Sequence, residues 1–190
     1  MSEPSKRGLE PSFTVAVPRG EDRERRICDH CGFVDYANPK IVAGALVAFS
    51  EHGPPHGEGC VPIEQVSILL CRRAIHPRKG YWTMPAGFME LGESTLEAAI
   101  RETREEACAE IDCDALLAVF DVVHRGQVHV FRRATLVGGF AAGPESLEVK
   151  LFPWGEIPWD SLAFTTVHWS LRAWAESREQ TVFAPYGNFE

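Results

Sequence analysis

No stretch of the chain approaches the ~18 apolar residues of a membrane-spanning helix, which excludes a helical membrane span. No apolar segment follows Met1, so the expectation is a cytoplasmic chain without a secretory signal or a membrane partner. Basic residues are in the minority, with 19 Lys and Arg against 27 Asp and Glu and a formal net charge of −8. That balance argues against a general nucleic-acid surface, although it is compatible with a local basic patch. Six cysteines without a secretory context suggest reduced thiols or metal ligands and not a disulfide framework. No internal repeat is present.

What is there describes one well-filled domain with a small appendage. The 190 residues are 45% hydrophobic and 24% charged, as in soluble globular proteins. Three segments are expected: 1–39, 40–180 and a C-terminal tail at 181–190. Residues 1–26 are polar with little periodicity and read as a loose arm. Cys28 and Cys31 then form half of a zinc knuckle, but structural zinc needs four ligands and no Cys precedes Cys28. Zinc there would have to be completed by His30 or by a partner subunit.

Residues 41–49 form an apolar run that reads as a buried strand, and 65–73, 81–84, 115–123 and 128–137 read as further strands. Residues 51–64 are rich in Gly and Pro and read as a mobile hairpin insertion, in preference to a metal site at His52, His56 and Cys60. The turn at Arg125, Gly126 and Gln127 is either an ordinary hairpin or the mouth of a site where Arg125 and Gln127 meet phosphate or base. Residues 161–179 read as a helix with Val167, Leu171 and Trp174 on one face, for packing or a dimer contact. Cys108 and Cys113 are expected to be buried and inert.

The chain is organised around residues 87–109. Ser94 and Glu97 have capping-box spacing, so a helix should start there and run to about Glu110. Leu96, Ile100, Thr103 and Ala107 make one expected buried stripe, with Glu102, Glu105 and Glu106 on the other side. Such a run can be a solvated face in which Arg101 pairs with Glu97 and Glu105. Two features count against that reading. Three converging carboxylates repel one another unless a cation lies between them, and oxygen-only clusters suit Mg²⁺ or Mn²⁺. Gly87 and Glu93 also precede the helix at fixed spacing.

Gly87, Glu93, Arg101, Glu102, Glu105 and Glu106 fall without a gap on the signature of the Nudix hydrolases, which this chain resembles. It departs from the pattern at Thr103, Cys108 and Ala109; Cys108 stands where the last Gly is usual. Lys79 to Gly87 resembles the G-x-W-x-x-P-x-G entry of that family, with Trp82 read as core. The Cys28–Cys31 segment resembles a degenerate form of the zinc ribbon of NADH and plant plastid FAD pyrophosphatases. The resemblance implies an α/β (α+β) fold, an α/β/α sandwich around a mixed sheet, preceded by the vestigial ribbon.

The resemblance also implies chemistry: divalent-metal-dependent hydrolysis of a nucleoside diphosphate linked to another moiety, by water attack on phosphorus. Glu102, Glu105 and Glu106 would be metal ligands, with the Gly87 carbonyl completing a shell and Glu93 assisting. Arg101 would orient carboxylates. Glu148 is the first candidate for general base, with Glu93 second and Glu145 a weaker match to the same motif. The NADH specificity motif is absent, and Arg125 stands where ADP-ribose pyrophosphatases place a Pro. FAD therefore leads as substrate with ADP-ribose close behind, both releasing AMP. A non-catalytic nucleotide sensor and an RNA cap-processing enzyme are the alternatives. A small-molecule nucleotide and a second copy of the chain are the expected partners.

Overall fold

A computed structural model of the chain describes residues 10–189. The described chain divides into two compact units between Asn38 and Pro39.

The first unit is an antiparallel meander of β1 (Phe13–Ala16), β2 (Arg25–Cys28) and β3 (Val34–Asp35). The loose arm expected over residues 1–26 is thus corrected for its described part. Phe13 pairs with Cys28 and Ala16 with Arg25 across the first hairpin. The charges that mask these strands in the sequence have packing partners. The Arg26 guanidinium lies 4.5 Å from the Phe13 ring centre and that of Arg25 lies 5.2 Å from Tyr36.

Hydrogen bonds tie the knuckle down. The Asp29 carboxylate accepts from the Ser12 hydroxyl and, at 2.7 Å, from Thr14 Oγ1, and the Asp29 N–H donates to the Ser12 carbonyl at 3.0 Å. Those hydroxyl donors hold the Asp29 carboxyl below its usual range. The residues do not fit structural zinc: among the described residues no third His, Cys, Asp or Glu joins Cys28 and Cys31, and His30 Nε2 lies 3.3 Å from the Glu10 carbonyl. A chelator is therefore expected to leave proteolytic protection of residues 10–38 unchanged, whereas Asp29→Ala exposes them. The reverse pattern in limited proteolysis would restore a metal to the ribbon.

The second unit is built on a sheet of order β10-β5-β4-β9-β8, with β6 added to β5 and β7 to β4. Its strands are β4 (Lys40–Phe49), β5 (Ser67–Arg73), β6 (Trp82–Thr83), β7 (Ala86–Phe88), β8 (Ile111–Val122), β9 (Gln127–Leu136) and β10 (Ser146–Pro153). The β4–β9 pair is parallel and the others are antiparallel, so the sheet is mixed. Both faces are covered, which explains the unbroken apolar run of β4. Ala45 and Val47 pack with Ala99 and Ala107 of α1 (Thr95–Ala107). Leu46 and Ala48 pack with Leu171 and Trp174 of α2 (Thr165–Ser177) on the opposite face.

Strands β4 and β5 pair only at Ala48↔Ile68 and Phe49↔Ser67. Beyond that point β4 continues with β7, through Val42↔Phe88, Ala43↔Gly87 and Gly44↔Ala86. Gly44 permits this approach, since a Cβ there would collide with the Ala86 side chain and the Pro85 carbonyl. The splayed strands deliver β7 and the loop after it to the N-terminus of α1.

Helix α1 starts at the expected capping box, with Glu97 N–H donating to Ser94 Oγ at 3.2 Å and Ser94 N–H to Glu97 Oε2 at 2.7 Å. It ends at Ala107, short of the expected Glu110, because Cys108 adopts a left-handed conformation with φ 47°. Ala141 N–H and Gly143 N–H then satisfy the Ala107 and Glu106 carbonyls. The expected stripe is rotated. Ala98, Ala99, Glu102, Thr103, Glu106 and Ala107 are buried, while Leu96 and Ile100 are only half-buried. Small side chains let the helix lie close to the sheet, so two of the three carboxylates sit on its inner side. Cys108, expected buried, is exposed; Cys113 is half-buried, and burial pushes its thiol up to about 11.

The loop at residues 51–64 is not a free hairpin. His56 is buried, accepts from Trp174 Nε1–H at Nδ1 (3.4 Å), and places Nε2 3.3 Å from Thr135 Oγ1 and 3.5 Å from Asp114 Oδ2. Gly57 N–H donates to the Arg178 carbonyl, whose guanidinium in turn donates to the Val61 carbonyl. Burial pulls the His56 pKa from 6.5 to about 4, so the folded state holds it neutral. The unfolded chain binds the extra proton between those values, and stability is present above about 6.5 and lost as pH falls towards 4. Urea unfolding is expected to show this loss, on the order of 3 kcal/mol, and His56→Gln to flatten it.

The C-terminal stretch lies along the outer edge of β8, where Tyr186 N–H donates to the Leu117 carbonyl and Val119 N–H to the Tyr186 carbonyl. This edge is thereby capped.

Candidate active site

Arg101 organises the loop between β7 and α1. Its Nε and Nη2 donate to the two oxygens of Glu93 at 3.0 and 2.7 Å, and Nη2 also donates to the Phe88 carbonyl at 3.1 Å. Nη1 donates to Glu102 Oε1 at 2.7 Å and Glu105 Oε2 at 3.1 Å. One planar guanidinium thus ties three carboxylates and a backbone carbonyl together, which a lysine could not do. The Glu97 partner expected for Arg101 is absent because Glu97 is committed to the cap. Glu93 also accepts from the Glu90 N–H at 2.6 Å. The Arg101 fork and that amide lower its pKa to about 2.

The carboxylates on the inner side of the helix behave differently. Burial raises the Glu106 pKa to about 7 and also raises that of Glu102. Glu106 Oε2 accepts from the Ala86 N–H at 3.1 Å. Gly87 lies directly over the Glu102 carboxylate, and a Cβ there would collide with both its oxygens. Glu105 is the exposed member, with 59% of its side chain accessible. Among the described residues no three acidic side chains form a ready-made cage, because Arg101 occupies the space between Glu102 and Glu105. Oxygen-only donors, two of them buried at the cost of raised pKa values, under a backbone that tolerates no side chain: this set fits a hard divalent cation.

These groups line an open groove of about 1470 Å³. Gly87, Arg101, Glu102, Glu105 and Glu106 are on its surface, as are Arg125 and Gln127 from the β8–β9 turn. Glu93 is not one of its lining residues. Nor is Glu148, which lies on β10 with Arg72 Nη1 3.7 Å away. Glu145, three residues earlier, does line the groove, and its charge helps to raise the pKa values of Glu102 and Glu106.

Sequence reasoning missed other parts of the wall, among them Arg73, Arg78, Phe164 and Trp169. Arg73 is held by a 2.8 Å hydrogen bond from Nε to the Pro77 carbonyl and sits 5.2 Å from the Phe164 ring centre. The cation-rich run from Arg72 to Lys79 was the available signal.

The chain is similar to known proteins over most of its length. The model described as NUDIX domain matches residues 55–174, and the one described as Nudix N-terminal matches residues 11–37. An ADP-ribose pyrophosphatase of Methanocaldococcus jannaschii is 36% identical over 102 residues, covering 51% of this chain and 59% of its own. An 8-oxo-dGDP phosphatase of Homo sapiens is 34% identical over 112 residues, covering 55% of this chain and 34% of its own. The chain therefore spans less than two thirds of either of these curated relatives. The crystal structure of a Nudix hydrolase from Nitrosomonas europaea has a TM-score of 0.79 and 36% identity, covering 98% of this chain and 97% of that one. The NUDIX domain match spans the loop and helix that carry Gly87 to Glu106, and the chain belongs to the Nudix hydrolase family.

Proposed function

We propose that this chain hydrolyses a nucleoside diphosphate linked to a second moiety, with ADP-ribose ahead of FAD, by water attack on phosphorus and with release of AMP. The observation that carries the reading is the placement of Glu102, Glu105 and Glu106 in a groove that also presents Arg73, Arg78 and Arg125. Carboxylates beside an anionic substrate require a cation between them. Glu102, Glu105, Glu106 and the Gly87 carbonyl would hold Mg²⁺ or Mn²⁺. When bound, such an ion neutralises phosphate charge and makes water more acidic.

The chain's own residues do the remainder. Arg101 is a positioning residue: it fixes Glu93 and aims Glu102 and Glu105. The guanidinium groups of Arg73, Arg78 and Arg125 bind and orient the diphosphate oxygens. A carboxylate oxygen of Glu145 takes the proton of the attacking water; we prefer it to Glu148 because Glu145 lines the groove. Glu93, held at a low pKa by Arg101, is a poor proton acceptor.

ADP-ribose is placed ahead of FAD because the archaeal relative bears that activity in its name. The test is a panel of ADP-ribose, FAD, NADH, diadenosine tetraphosphate, 8-oxo-dGDP and capped RNA, each with Mg²⁺ and with Mn²⁺. The expected result is AMP release from ADP-ribose with the highest kcat/KM. Turnover of 8-oxo-dGDP alone moves the substrate class, and binding without turnover across the panel makes the chain a sensor.

A further inference from the structure

Phe88, Val42 and His129 form a row across three strands, since Val42 pairs with Phe88 of β7 and with His129 of β9. Gln127 lies two residues before His129 on β9, so its side chain shares the same face. All four line the groove. This corner combines an exposed aromatic ring, whose centre lies 5.0 Å from the Lys40 ammonium, with an aliphatic side chain and a neutral amide.

The orientation of that amide is set from behind. His129 Nε2 is 3.0 Å from Gln127 Oε1, and His129 Nδ1 is buried without a hydrogen-bond partner among the described residues. An orphaned buried N–H is rarer than an orphaned lone pair, so the ring proton belongs on Nε2 and the lone pair on Nδ1. Burial lowers the His129 pKa and keeps the ring in this neutral form. Nε2–H then donates to the amide oxygen of Gln127. With that oxygen occupied, the two N–H bonds of the amide are what the groove is offered.

We propose that Phe88, Val42 and Gln127 form a nucleobase subsite in which His129 holds the Gln127 amide so that it donates to an acceptor atom of the heteroaromatic base. The proposal rests on the nucleotide reading above. His129 is a positioning residue, and Gln127 and Phe88 touch the base.

The test is the Kd of AMP by calorimetry, alongside KM and kcat for ADP-ribose, in wild type, Gln127→Ala, Gln127→Glu, His129→Phe and the His129→Phe/Gln127→Ala double variant. Gln127→Ala and Gln127→Glu are expected to weaken AMP about tenfold or more, as for one lost hydrogen bond, and to raise KM while leaving kcat within about twofold. His129→Phe keeps the ring but frees the amide to rotate, and is expected to weaken AMP about threefold. In the His129→Phe background, Gln127→Ala should cost less than in wild type. A His129→Gln variant, which restores a side-chain donor, should recover part of the affinity. Strictly additive single effects, or AMP affinity unchanged by Gln127→Ala, overturn the proposal. AMP binding that depends on Gln127 without hydrolysis of any substrate overturns only the hydrolase reading. No AMP binding to wild type overturns the subsite, and the hydrolase reading then stands or falls on turnover of ADP-ribose.

Discussion

Glu106→Gln is expected to stabilise the metal-free protein by about 3 kcal/mol near pH 8 while slowing hydrolysis at least ~100-fold. The stability effect follows from burial. The Glu106 carboxyl titrates near 7 in the fold against 4.5 when free, so between those values the folded state holds the extra proton. Its contribution is fully present below about 4.5 and is lost as pH rises through 7. Above that, the fold carries a buried, partly unpaired carboxylate. Gln keeps the acceptor that the Ala86 N–H needs, at 3.1 Å in the wild type, and removes the charge.

A divalent ion should restore the wild type by binding only the folded state, and should leave the Gln variant nearly unchanged. Urea titrations near pH 5 and pH 8, with chelator and with Mg²⁺, separate these cases. A Gln variant less stable than wild type in chelator at the higher pH would sink the idea that this carboxylate is stored for a cation.

The second large effect lies far from the groove. Arg133 has 0% exposure and gives Asp114 a forked pair of hydrogen bonds, at 3.0 Å from Nε to Oδ1 and 2.6 Å from Nη2 to Oδ2. Its remaining nitrogen donates to the Ser177 and Gln180 carbonyls at 3.3 and 2.8 Å, and its guanidinium carbon lies 4.7 Å from the Phe183 ring centre. One side chain therefore joins β8, β9, the end of α2 and the C-terminal stretch. Asp114→Ala leaves that guanidinium without its counter-ion and is expected to cost about 2–3 kcal/mol, less than for a fully buried pair because 42% of the Asp114 side chain is accessible. His56 also faces Asp114, so hydrogen exchange in residues 51–64 should rise in the same variant. A loss below about 1 kcal/mol would mean that water or the carbonyls suffice to hold Arg133.

The parts of this architecture that are local in sequence were legible in it. The capping box at Ser94 and Glu97, the spacing from Gly87 to Glu106 and the apolar run of β4 depend only on neighbouring residues and on burial of both sheet faces. The direction in which α1 faces was not legible. Leu96 and Ile100 outrank Ala98 and Ala99 on any hydrophobicity count, yet the alanines let the helix approach the sheet, and that choice carries Glu102 and Glu106 inward.

The groove wall was hidden for a different reason. Arg73, Phe164 and Trp169 come from loops and elements brought together only by the sheet topology. The network of His56, Asp114, Arg133 and Trp174 likewise spans more than a hundred residues, as the 118-residue separation of His56 and Trp174 shows. Charges on Arg25 and Arg26 disguised β2, because their pairing with aromatic rings is a tertiary fact.

The most direct measurement of the central claim is the rate of AMP formation from ADP-ribose, with Mg²⁺ and with chelator, in wild type and Glu105→Gln. Glu105 is the exposed carboxylate of the three, so its substitution tests chemistry with little disturbance of the core. AMP is expected only in the presence of the cation, and at least ~100-fold less of it from the variant at unchanged thermal stability. Equal rates from the two proteins, or hydrolysis that persists in chelator, would contradict the assignment of these carboxylates to the reaction.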